Sequence, residues 1–151
     1  MSQSLARVIL HVTFSTKDRR PFLKDADIRA GLYAYMAGAL QDIKCVPILI
    51  NGVEDHVHIL CNLSRTVCIA DLVEVAKTEP SKWMKEQGRA YADFYWQAGY
   101  GAFSVSQSNV EMVRAYIARQ EEHHRRDSFQ DEFRALCAKH GVNIDERYAW
   151  D

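Results

Sequence analysis

The most restrictive feature of the sequence is the order in which strand-like and helix-like apolar patterns follow one another. β-Branched and apolar residues cover 6–15, and apolar residues at helical spacing mark 25–43. Two further apolar runs, 45–50 and 56–63, are separated by Asn51–Gly52, which is a typical hairpin turn. The order strand, helix, strand, strand predicts an α+β fold built on an antiparallel sheet.

The second half of the chain continues this alternation. Apolar spacing predicts a helix over 69–87, which Pro80 should kink or split. Short strands are expected at 91–97 and 102–106, a third helix at 108–124 opened by a Ser108–Glu111 capping box, and a fourth helix at 129–141. The whole order predicts a ferredoxin-like antiparallel sheet with helices on one face, plus a C-terminal helix pair.

Composition limits the class of protein and its partners. A chain of 151 residues, 48% hydrophobic and 26% charged, predicts a single globular domain over 1–151. The net charge of -1 excludes a large basic field but leaves room for a local basic groove. Four cysteines without C-x-x-C spacing and the lack of a long apolar segment predict reduced thiols, no membrane partner and a cytoplasmic location.

Two histidines stand one residue apart in the strand at 56–63. Side chains two apart share a face of a strand, so His56 and His58 should lie side by side. Two readings are open from these residues: a polar strand face, or a pair of metal ligands. Asp55 would then either orient an imidazole from behind or lie in solvent.

Tyr116 and Gln120 are four residues apart on the third predicted helix and therefore share a face. Tyr116 could simply cap the core, or it could be a nucleophile with a metal ligand one turn away. A phenol with a pKa of about 10 attacks poorly unless a cation or a base favours the phenolate. A divalent ion bound by two imidazoles and an amide oxygen could polarise a phosphate, and this mixed ligand set suits Mg²⁺ or Mn²⁺.

Three segments together resemble the single-tyrosine HUH transposases: HVTFSTKDRRPF, DHVHIL and VRAYIARQEEHH. This family includes small insertion-sequence transposases and repeat-associated tyrosine transposases. The resemblance runs from about Ala6 to the terminal DERYAWD, and its Tyr-x-x-x-Gln motif follows the His-x-His motif by about 60 residues. One departure is Arg119, where the family commonly has asparagine.

The resemblance implies a mechanism and a set of site residues. His56, His58 and Gln120 would be the protein ligands of Mg²⁺ or Mn²⁺. Tyr116 would attack single-stranded DNA beside a hairpin, leaving a 5′-phosphotyrosine and a free 3′-hydroxyl. The family also implies a homodimer, whose sites are completed either within one chain or by exchange of the tyrosine helix. The glycines of 99–101 could supply the hinge for such an exchange.

Contacts to DNA are expected from basic residues near the histidine strand. Lys17, Arg19 and Arg20, in the loop after the first strand, form the best local basic patch, whose alternative is a solvated turn. Arg65 is a weaker candidate. His124 lies one turn beyond Gln120 and either serves the helix end or approaches the metal.

Three other functions remain open from the sequence. A domesticated enzyme of the same chemistry could act on genomic repeats. A ferredoxin-like module that has lost catalysis could bind hairpins, and a metallohydrolase could use water as its nucleophile. Tyr116→Phe separates the last two from the transposase. A binding module would bind hairpins equally well with this change and would form no covalent adduct even as the wild type, whereas a metallohydrolase would still cleave DNA.

Overall fold

A computed structural model describes residues 2–151, and its core is an antiparallel sheet. The strands are β1 (Ile9–Ser15), β2 (Pro47–Gly52), β3 (His56–Asn62) and β4 (Gly101–Val105). Their order is β2-β3-β1-β4, and each neighbouring pair is antiparallel. This is the predicted ferredoxin-like α+β fold, which is therefore confirmed.

Five helices surround the sheet: α1 (Ala26–Asp42), α2 (Ile69–Lys85), α3 (Val110–Ala118), α4 (Gln120–His123) and α5 (Phe129–Lys139). The Asp25 side chain begins α1 by accepting hydrogen bonds from the backbone of Asp27 and Ile28. Within residues 2–151, none of these helices is long and apolar enough to span a bilayer.

One face of the sheet packs against the two long helices. Alternate residues of β1 and β3 share this face because side chains two apart in a strand point the same way. The buried strand residues of this core are Leu10, Val12, Phe14, Val57, Ile59 and Cys61. Leu32, Met36 and Leu40 of α1 and Leu72, Val73 and Ala76 of α2 cover them.

The opposite face of the sheet lies under the C-terminal helices. Ile9 of β1 and Leu60 of β3 pack there against Val110 and Ile117 of α3. Phe103 of β4 packs against α5 in a separate cluster. The histidines of β3 lie on this second face, beneath α3, α4 and α5.

The turn between β2 and β3 differs from the prediction. Asn51–Gly52 was expected to form the hairpin turn, but both residues belong to β2 and pair with His58 and Val57. The connection is 53–55, and the Asp55 carbonyl accepts a hydrogen bond from the Thr16 backbone N–H. The glycine is required by close approach, since a Cβ at Gly52 would lie 2.2 Å from the His56 carbonyl oxygen.

The predicted strand at 91–97 is wrong. Residues 89–91 form a single 3₁₀ turn, and only an isolated bridge joins Trp96 to Thr16. The side chain of Gln97 explains the interruption, because its amide oxygen accepts the Ser15 N–H at 2.8 Å where a strand would pair by its backbone. The Lys77 ammonium also holds the carbonyls of 97–99.

Two predictions about the third helix also need correction. The capping box at Ser108–Glu111 is absent, since 107–109 form a 3₁₀ turn and α3 begins at Val110. The third helix is interrupted at Arg119, whose backbone (φ −100°, ψ 24°) is not helical. By contrast, α2 continues through Pro80 to Lys85 without splitting.

Gly52→Ala should destabilise the fold, because the new methyl group would press on backbone atoms of His56 and Val57 that cannot move independently. We expect the free energy of unfolding to fall by about 1–3 kcal/mol, measured by urea denaturation. Gly38→Ala is the matched control. It lies in α1 with open space around it, so it should be neutral or stabilise by up to about 1 kcal/mol. Equal stability of the two variants would contradict this account.

A candidate metal and tyrosine site

The site is built on the end of β3. His56 and His58 point to the same face, as their spacing predicted, and both side chains are fully buried. Pairing with β1 sets Thr13 beside His58 and Ser15 beside His56. The two imidazole rings lie 5.1 Å apart between centroids.

The C-terminal helices bring the tyrosine and the glutamine to these histidines. Gln120 is buried, and its amide oxygen lies 3.1 Å from Nε2 of His56. The Tyr116 ring lies 6.1 Å from the His58 ring. Asn51 fixes this arrangement, since its side-chain amide donates to the carbonyl of Ile117 at 2.9 Å. The chain therefore brings Tyr116, His56, His58 and Gln120 together without help from a second chain.

A residue that the sequence analysis missed lies in the middle of this site. Glu132 of α5 is buried, and its carboxylate contacts every group just named. Oε1 lies 2.8 Å from Nε2 of His58 and 3.2 Å from Nε2 of His56. Oε2 accepts hydrogen bonds from the Tyr116 hydroxyl and, at 3.0 Å, from the Gln120 amide.

The sequence did contain a signal for Glu132. The apolar face of α5 consists of Phe129, Phe133 and Cys137, which are four residues apart and pack on Phe103. Glu132, three residues after Phe129, falls on this same inward face. A carboxylate in an apolar helical stripe is expensive unless it is paired, and this cost was the available clue to a buried site.

The Nδ1 atom of each of these two imidazoles, on the ring edge that faces away from Glu132, contacts a neighbouring side chain. Nδ1 of His56 donates to the Asp55 carboxylate at 2.7 Å, so Asp55 orients the ring rather than lying free in solvent. Nδ1 of His58 lies 2.7 Å from Nε2 of His11, another residue that the sequence analysis missed. Such outer hydrogen bonds fix the tautomer and direct Nε2 inward, as in metal sites.

The chemistry of the donor set fits a divalent cation. One ligand atom each from His56, His58, His124 and Glu132 lie within 4.8 Å of one another. Nε2 of His124 is also buried without a hydrogen-bond partner within residues 2–151. Buried polar atoms normally have a bonding partner. A cation can be that partner here, because the imidazole nitrogen can donate its lone pair to it.

Burial and charge shift the ionisation of the site. Burial lowers the pKa of His11 to about 3, so this ring is neutral. Burial alone would lower the pKa of His56, but the Asp55 and Glu132 carboxylates outweigh it and raise this pKa to about 9. Burial and the negative charge of Glu132 raise the pKa of Tyr116, which keeps its phenol protonated while no cation is bound.

Glu132 itself remains ionised. Its burial would raise the pKa of the carboxyl, but the surrounding imidazoles outweigh that effect and hold the pKa well below its usual range. The site therefore contains a permanent negative charge between the histidines and the phenol.

Tyr116 and Glu132 also line a cavity of about 500 Å³. Its walls combine apolar side chains with a few polar ones: Met112, Val113, Leu136, His11, Asn109 and His140. This volume lies within the range of ligand sites, roughly 300–1,000 Å³.

The basic residues that the sequence analysis proposed as DNA contacts lie at two opposite ends of the sheet. Lys17, Arg19 and Arg20 follow β1 at the end where Ser15 pairs with His56. Arg20 is partly engaged by an ion pair with Asp93 at 2.9 Å, whereas Lys17 is exposed. Arg65 follows the other end of β3, roughly 20 Å away for a strand of this length.

Comparison with known proteins identifies the family. Residues 4–120, well over half of the chain, match the sequence profile of the family described as "Transposase IS200 like". The chain belongs to the IS200-like transposase family. Membership indicates a DNA-processing enzyme and confirms the resemblance read from the histidine and tyrosine motifs. No curated protein matches the chain.

Solved structures of transposase-like proteins share the fold. A Deinococcus radiodurans protein provisionally assigned as a transposase has a TM-score of 0.62 at 20% identity, covering 80% of this chain and 98% of that one. A REP-associated tyrosine transposase bound to a REP hairpin has a TM-score of 0.59 at 13% identity, covering 82% of this chain and 74% of that one.

Asn51→Ala should loosen the tyrosine helix, because the Ile117 carbonyl would lose its side-chain donor. We expect the free energy of unfolding to fall by about 1 kcal/mol, measured by urea denaturation. Asn62→Ala is the control, since its amide makes only an exposed contact of 3.4 Å with the Val46 carbonyl. An equal loss in both variants would argue against a specific tie between β2 and α3.

Proposed function

We propose that this transposase-family protein nicks and rejoins single-stranded DNA next to hairpins, with Tyr116 as the nucleophile. One observation carries the proposal. The Tyr116 hydroxyl and the imidazoles of His56 and His58 meet at the two oxygens of a single buried carboxylate. A nucleophile and a candidate cation site thus share one centre, beside a cavity open to substrate.

His56, His58 and Gln120 would hold the divalent ion, Mg²⁺ or Mn²⁺, with Asp55 orienting the first imidazole. When bound, the ion would polarise the phosphate and favour its attack by an oxygen nucleophile. Gln120 presents its amide oxygen to His56 and its amide nitrogen to Glu132, so one side chain joins both halves of the site.

The protein's own residues supply the transfer. The Tyr116 oxygen forms a bond to phosphorus while its proton passes to Glu132 Oε2, the oxygen that already accepts its hydrogen bond. The bond from phosphorus to the 3′ oxygen breaks, and this oxygen takes the same proton on from Glu132 to leave as a 3′-hydroxyl, so the strongly acidic carboxyl holds the proton only in passing. The product is a 5′-phosphotyrosine, which conserves the phosphodiester energy so that another 3′-hydroxyl can reverse the attack.

Each chain of the proposed homodimer would complete its own site. The Tyr116 and His58 rings of one chain lie 6.1 Å apart, so no exchange of helices is needed. The proposed hinge at 99–101 is also poorly suited to such an exchange. Gly101 is buried in β4, and a Cβ there would lie 2.8 Å from the Phe133 ring.

Hairpin DNA is proposed as the partner because one similar structure is described as bound to a REP hairpin. Lys17, Arg19 and Arg20 would contact phosphates close to the cleavage site, since they follow β1 beside His56. Arg65 would contact phosphates further along the strand, near the other end of β3.

Tyr116→Phe should abolish the covalent adduct without changing the fold. The substrates are single strands from both flanks of the gene, 3′-labelled because the 3′ fragment carries the linked phosphate, incubated with Mn²⁺ or Mg²⁺. Denaturing electrophoresis should show label migrating with the wild-type protein and none with the variant. Tyr148→Phe is the control, since Tyr148 is exposed and far along the chain.

Two outcomes would replace the proposal. Cleavage that persists in Tyr116→Phe and yields a free 3′ fragment would indicate a water nucleophile. Hairpin binding without any cleavage by the wild-type protein would indicate a binding module that has lost catalysis.

Lys17→Ala should weaken DNA binding in a salt-dependent way. Loss of one phosphate contact should reduce the slope of log K against log salt concentration by about 0.7 for a single strand. The effect should already be present on a short strand that spans only the cleavage site. Arg65→Ala should weaken binding of long strands alone, so a loss on the short strand would contradict the assigned positions.

A further inference from the structure

The imidazole of His124 extends the candidate metal site beyond the three ligands proposed above. Its Nε2 lies 3.1 Å from Glu132 Oε1, close to the distances from His58 and His56 to the same oxygen. Three imidazole nitrogens thus converge on one point, which the carboxylate oxygen now fills. A metal–nitrogen bond of about 2.0–2.1 Å would need the carboxylate oxygen to move off this point and each imidazole to move inward by about 1 Å.

The hydrogen bonds of the three imidazoles share one pattern. Nδ1 of His124 lies 2.6 Å from the Asp127 carbonyl, which only accepts, so this nitrogen donates. Nδ1 of His56 faces Asp55, and Nδ1 of His58 faces His11. Every ring is therefore held at Nδ1 from outside and presents Nε2 to the centre. This is how metal-ligating histidines are supported.

The Nε2 atom of His124 supplies a second, independent observation. It is buried, and its contact with Glu132 Oε1 lacks the geometry of a hydrogen bond. In the tautomer that the Asp127 carbonyl selects, Nε2 carries a lone pair directed towards a carboxylate. Two electron-rich atoms at this separation repel each other unless a positive charge, either a proton on Nε2 or a bound cation, lies between them.

We propose that His124 and Glu132 join His56, His58 and Gln120 as ligands, giving a site that selects a first-row transition ion such as Mn²⁺, Co²⁺ or Zn²⁺ over Mg²⁺. This inference rests on the metal site of the proposed function. Three imidazoles favour transition ions, whereas Mg²⁺ prefers oxygen donors and retains its water. Both added ligands lie beyond residue 120, outside the part of the chain that matches the family.

Glu132 keeps its role towards the phenol in this arrangement. Oε1 faces the imidazoles, while Oε2 faces Tyr116 and Gln120. One carboxylate therefore connects the bound ion with the nucleophile, and α5 becomes part of the reaction centre.

The test measures ion binding without DNA. Full-length protein, stripped with a chelator, is titrated by calorimetry with Mn²⁺, Co²⁺ and Mg²⁺. We expect Mn²⁺ and Co²⁺ to bind at least about ten-fold more tightly than Mg²⁺. His124→Ala and Glu132→Gln should each weaken Mn²⁺ binding by about 10–100-fold, and His124→Ala should change the visible absorption of bound Co²⁺.

Matched controls come from the neighbouring residues. His123→Ala removes an imidazole whose Nε2 lies 3.5 Å from Glu132 Oε2, and Asp131→Asn removes an exposed carboxylate that pairs with Arg134. Both should bind Mn²⁺ like the wild type. Equal loss in His123→Ala and His124→Ala would overturn the assignment of His124.

A measurement on the unsubstituted protein avoids variants that fail to fold. In spectra of ¹⁵N-labelled histidine, Zn²⁺ should shift three Nε2 resonances, and a shift of only two would overturn the proposal.

The adduct assay distinguishes an error in the added metal ligands from an error in the proposed DNA chemistry. If Tyr116 forms its adduct but His124 and Glu132 do not affect binding, only the added ligands are wrong. If these residues bind the ion and no adduct forms, the DNA chemistry is wrong instead.

Discussion

The contact between the Glu132 carboxylate and the imidazoles of β3 is the interaction on which the rest of the site depends. A buried carboxylate is stable only when other groups compensate its charge. Here His56 and His58 approach one oxygen, while Tyr116 and Gln120 donate to the other. This single side chain therefore links the strand that carries the histidines to the helix that carries the phenol.

Removing one partner from such a buried network costs about 3–5 kcal/mol, because the remaining charge is left uncompensated. The compensation is local to the second face of the sheet. The first face, packed on α1 and α2, is apolar and contains the larger buried hydrophobic cluster. The second face thus carries a buried polar cluster beside two smaller apolar clusters, and His11 of β1 belongs to the polar one.

Local pattern predicted the elements well where one physical cause dominated. The alternation in β3 placed His56 and His58 on a common face, and Asp25 marked the start of α1. Prediction failed where tertiary contacts replaced local ones. The aromatic run at 91–97 has the composition of a strand, but the Gln97 side chain takes the backbone donor of Ser15 and ends the pairing. Likewise, Asn51–Gly52 resembles a turn but serves as strand because β2 continues beside β3.

The sequence by itself indicated the family and the fold class through its motifs and the order of its elements. It also placed His56 beside His58 and Tyr116 beside Gln120, because each spacing acts within one strand or one helical turn. Only the tertiary structure decided that Glu132 lies among them. Helix α5 is separate in sequence, and it packs on the sheet through Phe103 of β4. No periodicity within a helix reports which distant strand it will cover, so the partners of an inward-facing carboxylate become known only when the layers are assembled.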